Sequence, residues 1–386
     1  FKRTRPTYLE KHRLNIGVLT SSRADYGIYL PLLKVLKKES FCKLEIIAFG
    51  THLKDDFGRT QDQIISDGFD IKYSIENLIN GDNAIDIVKS YANTVAVFGD
   101  FWHEHRKRFD IVICLGDRFE MAAAVNAGIP FNMNFAHLHA GETSEGAIDN
   151  IYRNQITSAC NYHFISLPQF QKIVEGITNK KGTTTLTGAI SLENLKTISL
   201  LNHEEFHEKW NIDLKIPSIL VTVHPETVNY HKNHEYVEEL KATLIELSSK
   251  YQVIITMTNA DTLGSLYRDM YRKAASLSAN ICLVENLGSQ SYFSAMKMVQ
   301  LIIGNSSSGI IEAASFEKYV INIGNRQKNR LCSKNVIHVP FNHKDIIGAS
   351  EKYIDLKYDG QNIYSFPQGI ESIIETLKNV IQPNLK

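Results

Sequence analysis

The chain lacks the features of a membrane-spanning or disulfide-bonded protein. No apolar run approaches the roughly 18–20 residues that span a bilayer. The five cysteines are odd in number, widely spaced and without a Cys-x-x-Cys pair, so neither a disulfide framework nor a zinc ribbon is predicted. We therefore expect a cytoplasmic protein that uses no membrane segment, no metal and no cofactor.

An excess of charge of either sign is also missing. The 42 basic and 42 acidic residues cancel, so no global electrostatic field favours nucleic acid or a membrane surface. Residues 1–13 are basic and lack the apolar region of a secretory signal, and we interpret them as an N-terminal arm. Any site for an anion must then be built from individually placed residues.

The length and the hydrophobic pattern predict two α/β domains. A chain of 386 residues with 43% hydrophobic and 22% charged residues is too long for one ordinary core. Short apolar runs alternate with helical patterns, which favours parallel strands covered on both faces. The predicted strands are Leu14–Thr20, Cys42–Gly50, Asp110–Gly116, Met133–Ala140, Tyr162–Leu167, Thr183–Thr187, Ser218–His224, Gln252–Thr258, Asn280–Val284, Val299–Gly304 and Tyr319–Gly324.

Doubly wound, Rossmann-like sheets that face a cleft account for this alternation. We place the first domain at 14–188, the second at 189–366, and a C-terminal helix at 367–386 that packs back on the first domain. The longest predicted helix, Asn83–His105, carries an apolar stripe from Ala84 to Trp102. Its spacing of three and four residues indicates core or a subunit interface, and not a cofactor site.

A serine-rich turn follows the predicted strand that ends at Gly304. Ser306, Ser307 and Ser308 lie between Gly304 and Gly309 at the start of a predicted helix. Hydroxyls and free main-chain N–H groups at a helix N-terminus suit a phosphate, and the glycines would let the backbone approach it closely. Glu312, about one turn later, would repel phosphate but could accept hydrogen bonds from a ribose diol. A serine N-cap, with Glu312 closing a capping box, is the structural alternative.

Other polar residues also follow predicted strands directly. Ligands of doubly wound sheets lie beyond the carboxyl ends of the strands, so these residues should share one rim. They are Arg23, Asp25, Asp117, Arg118, Glu142, Asp149, Arg153, His224, Asn259 and Asp261.

The charged members of this rim allow structural readings as well. Arg23 and Arg118 could clamp a diphosphate through their guanidinium forks, or could be ordinary surface cations. Asp117 and Glu142 could simply pair with those arginines. Asp149 could be the N-cap of the following helix.

The histidines are equally open. His137 and His139 would lie on one face of a strand, and a metal site with Glu142 is conceivable, but the spacing fixes no third ligand. His224 could be a hydrogen-bonded histidine at a strand end, or an acid/base group beside the cleft.

Taken in order, these motifs resemble the hydrolysing UDP-N-acetylglucosamine 2-epimerase family of the sialic-acid and legionaminic-acid pathways. The resemblance runs from about Leu14 into the C-terminal helix. Its carriers are Ser22–Gly27, Gly116–Glu120, His137–Glu142, His224–Thr227, Asn259–Thr262, Gly304–Glu312 and Ile321–Gln327.

The resemblance implies a fold shared with UDP-sugar glycosyltransferases (GT-B-like), with UDP on the second domain and the sugar reaching into the first. It implies that UDP-N-acetylglucosamine, or a diacetamido relative, is hydrolysed through a glycal to UDP and a free sugar inverted at C2, of the N-acetylmannosamine type. It also implies a homodimer or homotetramer. A non-hydrolysing epimerase and a UDP-sugar glycosyltransferase are the alternatives.

The resemblance also assigns roles to residues. The implied catalytic residues are Asp117, Glu142, Asp149 and His224. The implied substrate-binding residues are Arg23, Asp25, Arg118, His139, Arg153, Asn259, Asp261, Ser306, Ser307, Ser308, Gly309, Glu312 and Arg326. His139 stands where many relatives carry Glu, so the group that works with Asp117 could be Glu142, His139 or Asp149.

Overall fold

Two parallel β-sheets organise the protein, and both are covered by helices. The computed structural model describes residues 13–258 and 263–380. The strands are β1 Leu14–Thr20, β2 Cys42–Phe49, β3 Ile71–Ile75, β4 Ile111–Leu115, β5 Phe135–Leu138, β6 Tyr162–Ile165, β7 Thr184–Leu186, β8 Ser218–Thr222, β9 Gln252–Thr256, β10 Ile281–Val284, β11 Leu301–Gly304, β12 Val320–Ile323 and β13 Val336–Val339.

Helices connect these strands along most of the chain. The α-helices are α1 Arg23–Leu36, α2 Gln61–Ser66, α3 Ala84–His105, α4 Phe119–Gly128, α5 Asp149–Ala159, α6 Phe170–Thr178, α7 Asn194–Thr197, α8 His203–Trp210, α9 Asn233–Ser248, α10 Gly264–Leu277, α11 Gly288–Met298, α12 Ser307–Ile311, α13 His343–Tyr353 and α14 Gly369–Val380. Among the described residues, no helix is long and apolar enough to cross a membrane.

The two sheets share one topology. The strand order is β3-β2-β1-β4-β5-β6-β7 in the first sheet and β10-β9-β8-β11-β12-β13 in the second. All the strands are parallel, and the order in which successive strands are added to the sheet reverses between β1 and β4 and again between β8 and β11. Such reversal points open a crevice at the carboxyl ends of the strands, where ligands bind in doubly wound sheets. The predicted fold class is confirmed.

The strands are buried because both faces are covered by apolar side chains. The cluster on one face of the first sheet joins β1 and α1 to Ile370, Ile373 and Leu377 of α14. The C-terminal helix thus packs against the first sheet although it follows the second in sequence. The domain limits at 188/189 and 366/367 remain predictions.

The long helix α3 is core at one end only. Phe98 and Trp102 are fully buried, whereas Val88 is 60% exposed. The sequence stripe is therefore core packing in the C-terminal half of the helix. In its N-terminal half the polar Ser90 and Thr94 are buried, and the expected subunit interface on the exposed side remains a prediction.

Candidate active site

The serine turn, Gly304–Gly309, connects the buried strand β11 to the short helix α12. The helix begins at Ser307, and the Ser306 hydroxyl caps it by accepting from the Ser308 N–H at 3.4 Å. The three serines are partly exposed at the carboxyl end of the strand. Because the third helical position is Gly309, no capping box forms, and Glu312 is left for another role.

The glycines of the turn serve packing within the fold. A Cβ on Gly304 would lie 2.0 Å from the Thr222 carbonyl oxygen, and the φ of Gly304 is +156°. A Cβ on Gly309 would lie 3.0 Å from a methyl of Val320. Both glycines are therefore needed for contact with neighbouring strands. Their close approach to a ligand remains a prediction.

Neutral hydroxyls line the second-domain side of the turn. The Ser308 hydroxyl lies 2.7 Å from the Tyr292 hydroxyl and 3.1 Å from that of Ser306. Burial raises the pKa of Tyr292, so this hydroxyl stays protonated at neutral pH. The turn thus offers O–H and N–H donors without a formal charge, and these suit a phosphate oxygen.

Asn305 ties the serine turn to two predicted site residues. Its side-chain oxygen accepts from the His224 N–H at 2.7 Å, and its amide donates to the His224 carbonyl at 2.8 Å. The Asn305 carbonyl accepts from Arg326 at 3.3 Å and from Gln327 at 2.8 Å. His224 and Arg326 are therefore both bonded to the turn through Asn305, and their substrate contacts remain predictions. Asn305 itself was not predicted, although its place between the last strand residue and the first serine was a usable signal.

Glu312 is buried behind the turn with one oxygen satisfied. The Ser191 hydroxyl donates to Oε1, while Oε2 is buried and has no hydrogen-bond partner among the described residues. Burial raises the pKa of Glu312 to about 7, against the opposing effect of the Ser191 hydrogen bond. A buried acceptor without a partner is costly, and an incoming hydroxyl pair such as a ribose diol could satisfy it.

On the first-domain side, Arg153 organises the predicted acid/base residues. Its guanidinium is buried, pairs with the Asp117 carboxylate, and donates to the His139 carbonyl at 3.0 Å. The Asp117 side chain keeps 27% of its surface exposed. Asp149 is the first residue of α5, one turn before Arg153 on the same helix. Since Ile148 holds the cap position, the alternative that Asp149 is an N-cap is wrong.

Glu142 is the most heavily bonded carboxylate of the site. Its Oε1 accepts from His139 Nδ1 at 2.6 Å and from the Ser166 hydroxyl at 2.5 Å, and its Oε2 pairs with Arg330. Burial alone would raise the pKa of Glu142, but the electrostatic effects of its neighbours His139 and Arg330 and the hydrogen bond with His139 outweigh it and hold the pKa well below its usual range. Glu142 is therefore a permanent anion at neutral pH.

Arg330 completes this group from the second domain. It lies on the segment that follows β12, is buried, and pairs with Glu142 across 188 positions of sequence. Burial lowers the pKa of Arg330, but Glu142 and other anionic neighbours raise it further, and the net pKa lies above the ordinary value. No strand ends directly before Arg330, so the rule that identified the other residues missed it. We call Asp117, His139, Glu142, Arg153 and Arg330 the acid–base cluster.

The segment 324–330, here the bridging loop, touches both halves of the site. Besides Arg326 on the serine turn and Arg330 on Glu142, its Lys328 carbonyl accepts from the Glu145 N–H at 3.1 Å. A Cβ on Gly146 would lie 1.5 Å from the Asn325 carbonyl oxygen. The loop that carries Glu142 is thus docked closely on the second domain.

The two histidines of the predicted strand pair diverge. Strand β5 ends at Leu138, and His139 has a left-handed backbone with a φ of 62°, so the two imidazoles do not share a strand face as expected. His137 hydrogen-bonds to Thr157 at 3.1 Å and to the Gly116 carbonyl at 2.8 Å. Burial lowers the pKa of His137 to about 3, which makes it a neutral core residue. In the part of the chain that the structure describes, no three His, Cys, Asp or Glu side chains converge on a metal site.

Arg23, Asp25 and Arg118 occupy the cleft edge of the first domain. The sequence pattern predicts a helix over Ile28–Lys38, but helix α1 begins five residues earlier at Arg23, because Ser22 caps it. Arg23 donates across the cleft to the Glu285 carbonyl at 2.6 Å, and burial lowers its pKa. A cavity here is lined by Ser22, Arg23, Thr51, Phe57, Thr60, Arg118, Thr258 and Glu285.

The other two residues are bonded close to their own position. Asp25 accepts from the Ser21 N–H at 3.0 Å and the Ser21 hydroxyl at 2.7 Å, and burial raises its pKa to about 6. Arg118 pairs with Glu120 at 2.5 Å, whereas Asp117 pairs with Arg153 and Glu142 with Arg330. Substrate contacts of these residues remain predictions. Asn259 and Asp261 lie outside the described residues.

Known proteins resemble this chain over most of its length. It is 31% identical over 331 residues to the GDP/UDP-N,N'-diacetylbacillosamine 2-epimerase (hydrolysing) of Campylobacter jejuni, which covers 86% of this chain and 85% of that protein. It is 29% identical over 364 residues to the UDP-N,N'-diacetylbacillosamine 2-epimerase (hydrolysing) of Legionella pneumophila, 94% and 95% of the two chains.

A solved structure carries the same fold. The UDP-GlcNAc 2-epimerase of Neisseria meningitidis, bound to UDP-GlcNAc, superposes with a TM-score of 0.78 at 17% identity, over 95% of this chain and all of that one. The model of the family described as UDP-N-acetylglucosamine 2-epimerase matches residues 34–378. With two Rossmann-like domains, a serine turn and an acid–base cluster joined by one loop, the chain belongs to the UDP-N-acetylglucosamine 2-epimerase family.

Proposed function

We propose that the protein is a hydrolysing 2-epimerase that converts a UDP-N-acetylhexosamine into UDP and the free sugar inverted at C2. Membership of the family supports epimerisation at C2. The two relatives described as hydrolysing are about 30% identical over most of both chains, and they favour release of the nucleotide over its return to C1.

The observation that carries the proposal is the bridging loop. It fixes a neutral, donor-rich turn and a buried acid–base cluster on opposite sides of one cleft. Cleaving the C1–O bond requires donors for the leaving diphosphate. Inverting C2 requires a base and an acid near the sugar. The serine turn offers the first and the acid–base cluster the second.

The expected reaction proceeds through a glycal. A base removes the proton from C2, and that C–H electron pair forms the C1=C2 double bond while the C1–O pair leaves with UDP. Water then adds its oxygen to C1, and C2 takes a proton on the opposite face. Ser306 and Ser308 would hold the leaving phosphates, and Glu312 would accept the ribose hydroxyls. Asp117 would be one of the proton-transfer groups.

For the substrate we propose a UDP-2,4-diacetamido-trideoxyhexose, with UDP-N-acetylglucosamine as the alternative. The names of the two hydrolysing relatives support the diacetamido sugar. The corresponding products are precursors of legionaminic-type and sialic-type acids, the latter through N-acetylmannosamine. We further propose that the enzyme works in the cytoplasm as a homo-oligomer.

One incubation in heavy water tests the proposal. The protein is given each UDP-sugar alone, and the products are followed by NMR. Release of UDP together with a free sugar that carries deuterium at C2 and the inverted configuration is the expected result. Interconversion of UDP-sugars without net release of UDP would indicate a non-hydrolysing epimerase. No reaction without an acceptor would overturn epimerisation altogether.

A further inference from the structure

Of the two ring nitrogens of His139, one is hydrogen-bonded and the other has no hydrogen-bond partner among the described residues. Nδ1 lies 2.6 Å from the Glu142 carboxylate, whereas Nε2 is buried and has no hydrogen-bond partner within residues 13–258 and 263–380. Only 6% of the residue is exposed. A buried nitrogen without a hydrogen-bond partner lowers the stability of the fold. We therefore expect Nε2 to find its partner in a ligand that enters the cleft.

The backbone at His139 carries a second cost. Its φ of 62° lies in the left-handed region, which a residue with a Cβ seldom adopts. Strained residues of this kind concentrate at active sites. Here the left-handed turn ends β5 at the carboxyl edge of the sheet and directs the loop that brings Glu142 back to the imidazole.

Glu142 is poorly suited to carry a proton itself. Its oxygens already accept from His139, Ser166 and Arg330. These bonds and charges favour the anion, and a carboxylate so stabilised is a weak base. A permanent anion beside Nδ1 fixes which imidazole nitrogen holds the proton and stabilises an imidazolium when one forms.

Arg153 brings Asp117 and His139 together. One of its terminal nitrogens pairs with the Asp117 carboxylate and the other donates to the His139 carbonyl, so the two residues flank a single guanidinium. The elements that pack around His139 carry five charged or titratable side chains. These are Asp117, His137, Glu142, Arg153 and Arg330. His137 is neutral and the other four form ion pairs, which leaves His139 Nε2 as the uncommitted basic atom of the cluster.

We propose that His139 Nε2 is the second proton-transfer group of the site, with Glu142 as its positioning carboxylate. This inference rests on the proposed function. The Nε2 lone pair takes the C2 proton; the C–H electron pair becomes the C1=C2 bond, and the C1–O pair leaves with UDP. In the next step water adds its oxygen to C1 and gives one proton to the Asp117 carboxylate, which passes it to C2 on the opposite face. The imidazolium, paired with Glu142, releases the proton it took from C2 to solvent, so both groups return to their starting states.

Two substitutions at His139 respect the left-handed backbone. In His139→Asn the side-chain amide can still donate to Glu142, and asparagine tolerates a positive φ, but it cannot accept the proton. In His139→Gly the backbone is also tolerated, and the vacated space can admit free imidazole. We expect His139→Asn to bind UDP as the wild type does and to lose at least a hundredfold in kcat. We expect added imidazole to restore turnover in His139→Gly.

Glu142→Gln tests the positioning role. It keeps a hydrogen-bond partner for Nδ1 but removes the charge that favours imidazolium, so the acid limb of kcat/KM should move to lower pH. His163→Asn is the matched control, because His163 is a buried histidine of β6 that bonds to Thr157 and Thr183 and lies outside the acid–base cluster. Its folded fraction should turn over at the wild-type rate.

The outcomes separate the two proposals. If the wild type releases UDP and deuterated sugar while His139→Asn stays within tenfold of its kcat, the assignment of His139 is overturned and the proposed function stands. A folded, UDP-binding His139→Gly variant that does not respond to imidazole overturns the assignment as well. If the wild type itself neither releases UDP nor exchanges C2, the proposed function fails first.

Discussion

The two sides of the cleft differ in charge: one presents neutral hydrogen-bond donors, and the other contains buried ion pairs. The second-domain side presents neutral hydroxyls and N–H groups at the serine turn, and burial raises the pKa of the adjacent Glu312 to about 7. The first-domain side is a network of buried ions, completed by Arg330 from the second domain. A leaving diphosphate brings its own charge and needs donors, whereas proton transfer at carbon needs charges that are already in place. The five predictions below test this contrast.

The largest effect should come from breaking the ion network. Arg330→Ala leaves the buried Glu142 with one fewer partner, so we expect a loss of about 3–5 kcal/mol in the free energy of unfolding, measured by urea denaturation. Arg272→Ala is the control, because its pair with Asp269 is exposed and should be worth under about 1 kcal/mol. Equal losses in the two variants would show that the network is not a stabilising unit.

Replacing the Asp117 carboxylate by an amide of the same size should lower kcat without changing the affinity for UDP. Asp117→Asn can still accept from Arg153 but cannot act as an acid or base, and we expect kcat to fall by roughly 10²–10⁴-fold. The affinity for UDP, measured by calorimetry, should stay within about twofold. Asp269→Asn, on the exposed surface of α10, is the control. Full turnover in Asp117→Asn would rule out the role given to this carboxylate.

Glu312 should make nucleoside binding depend on pH. Its pKa is raised to about 7, and a ribose diol donates best to the ionised form. Affinity should therefore rise with pH and be about tenfold weaker at pH 6 than at pH 8. Uridine is the probe, because it has no phosphate to titrate. The rise should vanish in Glu312→Gln, and its persistence there would assign it to another group.

The Glu312 contribution to the free energy of unfolding should change with pH in the opposite direction to uridine affinity. A carboxyl whose pKa is higher in the folded state holds its proton more tightly there, so its contribution to stability is complete below its ordinary pKa of 4.5 and is lost as the pH rises through about 7. The unfolding free energy of Glu312→Gln should lack this decline. The same carboxyl would then favour folding at low pH and nucleoside binding at high pH.

The smallest effect should come from the neutral side. Ser308→Ala removes one hydroxyl of a network that contains two others, and a hydrogen bond to a charged group contributes roughly 1.5 kcal/mol. We expect the Kd for UDP to rise about tenfold, with kcat changed less. Ser276→Ala on the surface of α10 is the control. If Ser308→Ala lowered kcat as much as Asp117→Asn does, the serine turn would not differ in role from the acid–base cluster.

The strands that sequence reasoning missed show its limits. Both β3 and β13 lie at sheet edges, and their side chains are only partly buried. Polar residues interrupt β3 and β13, so these two strands lack the continuous apolar run by which the other strands were identified. The early start of α1 was readable, because Ser22 and Asp25 have the spacing of an N-cap and a third helical residue.

By itself, the sequence determined the local parts of this protein: the alternation of strand and helix, and the rim where polar residues follow buried strands. Periodicity and chain direction suffice for these, since they depend on neighbours in sequence. Only the tertiary structure decided which charges pair, that His139 turns left-handed, and that Arg330 reaches Glu142 from 188 positions away. Such contacts depend on how two sheets pack across a cleft, and short-range patterns carry no information about that distance.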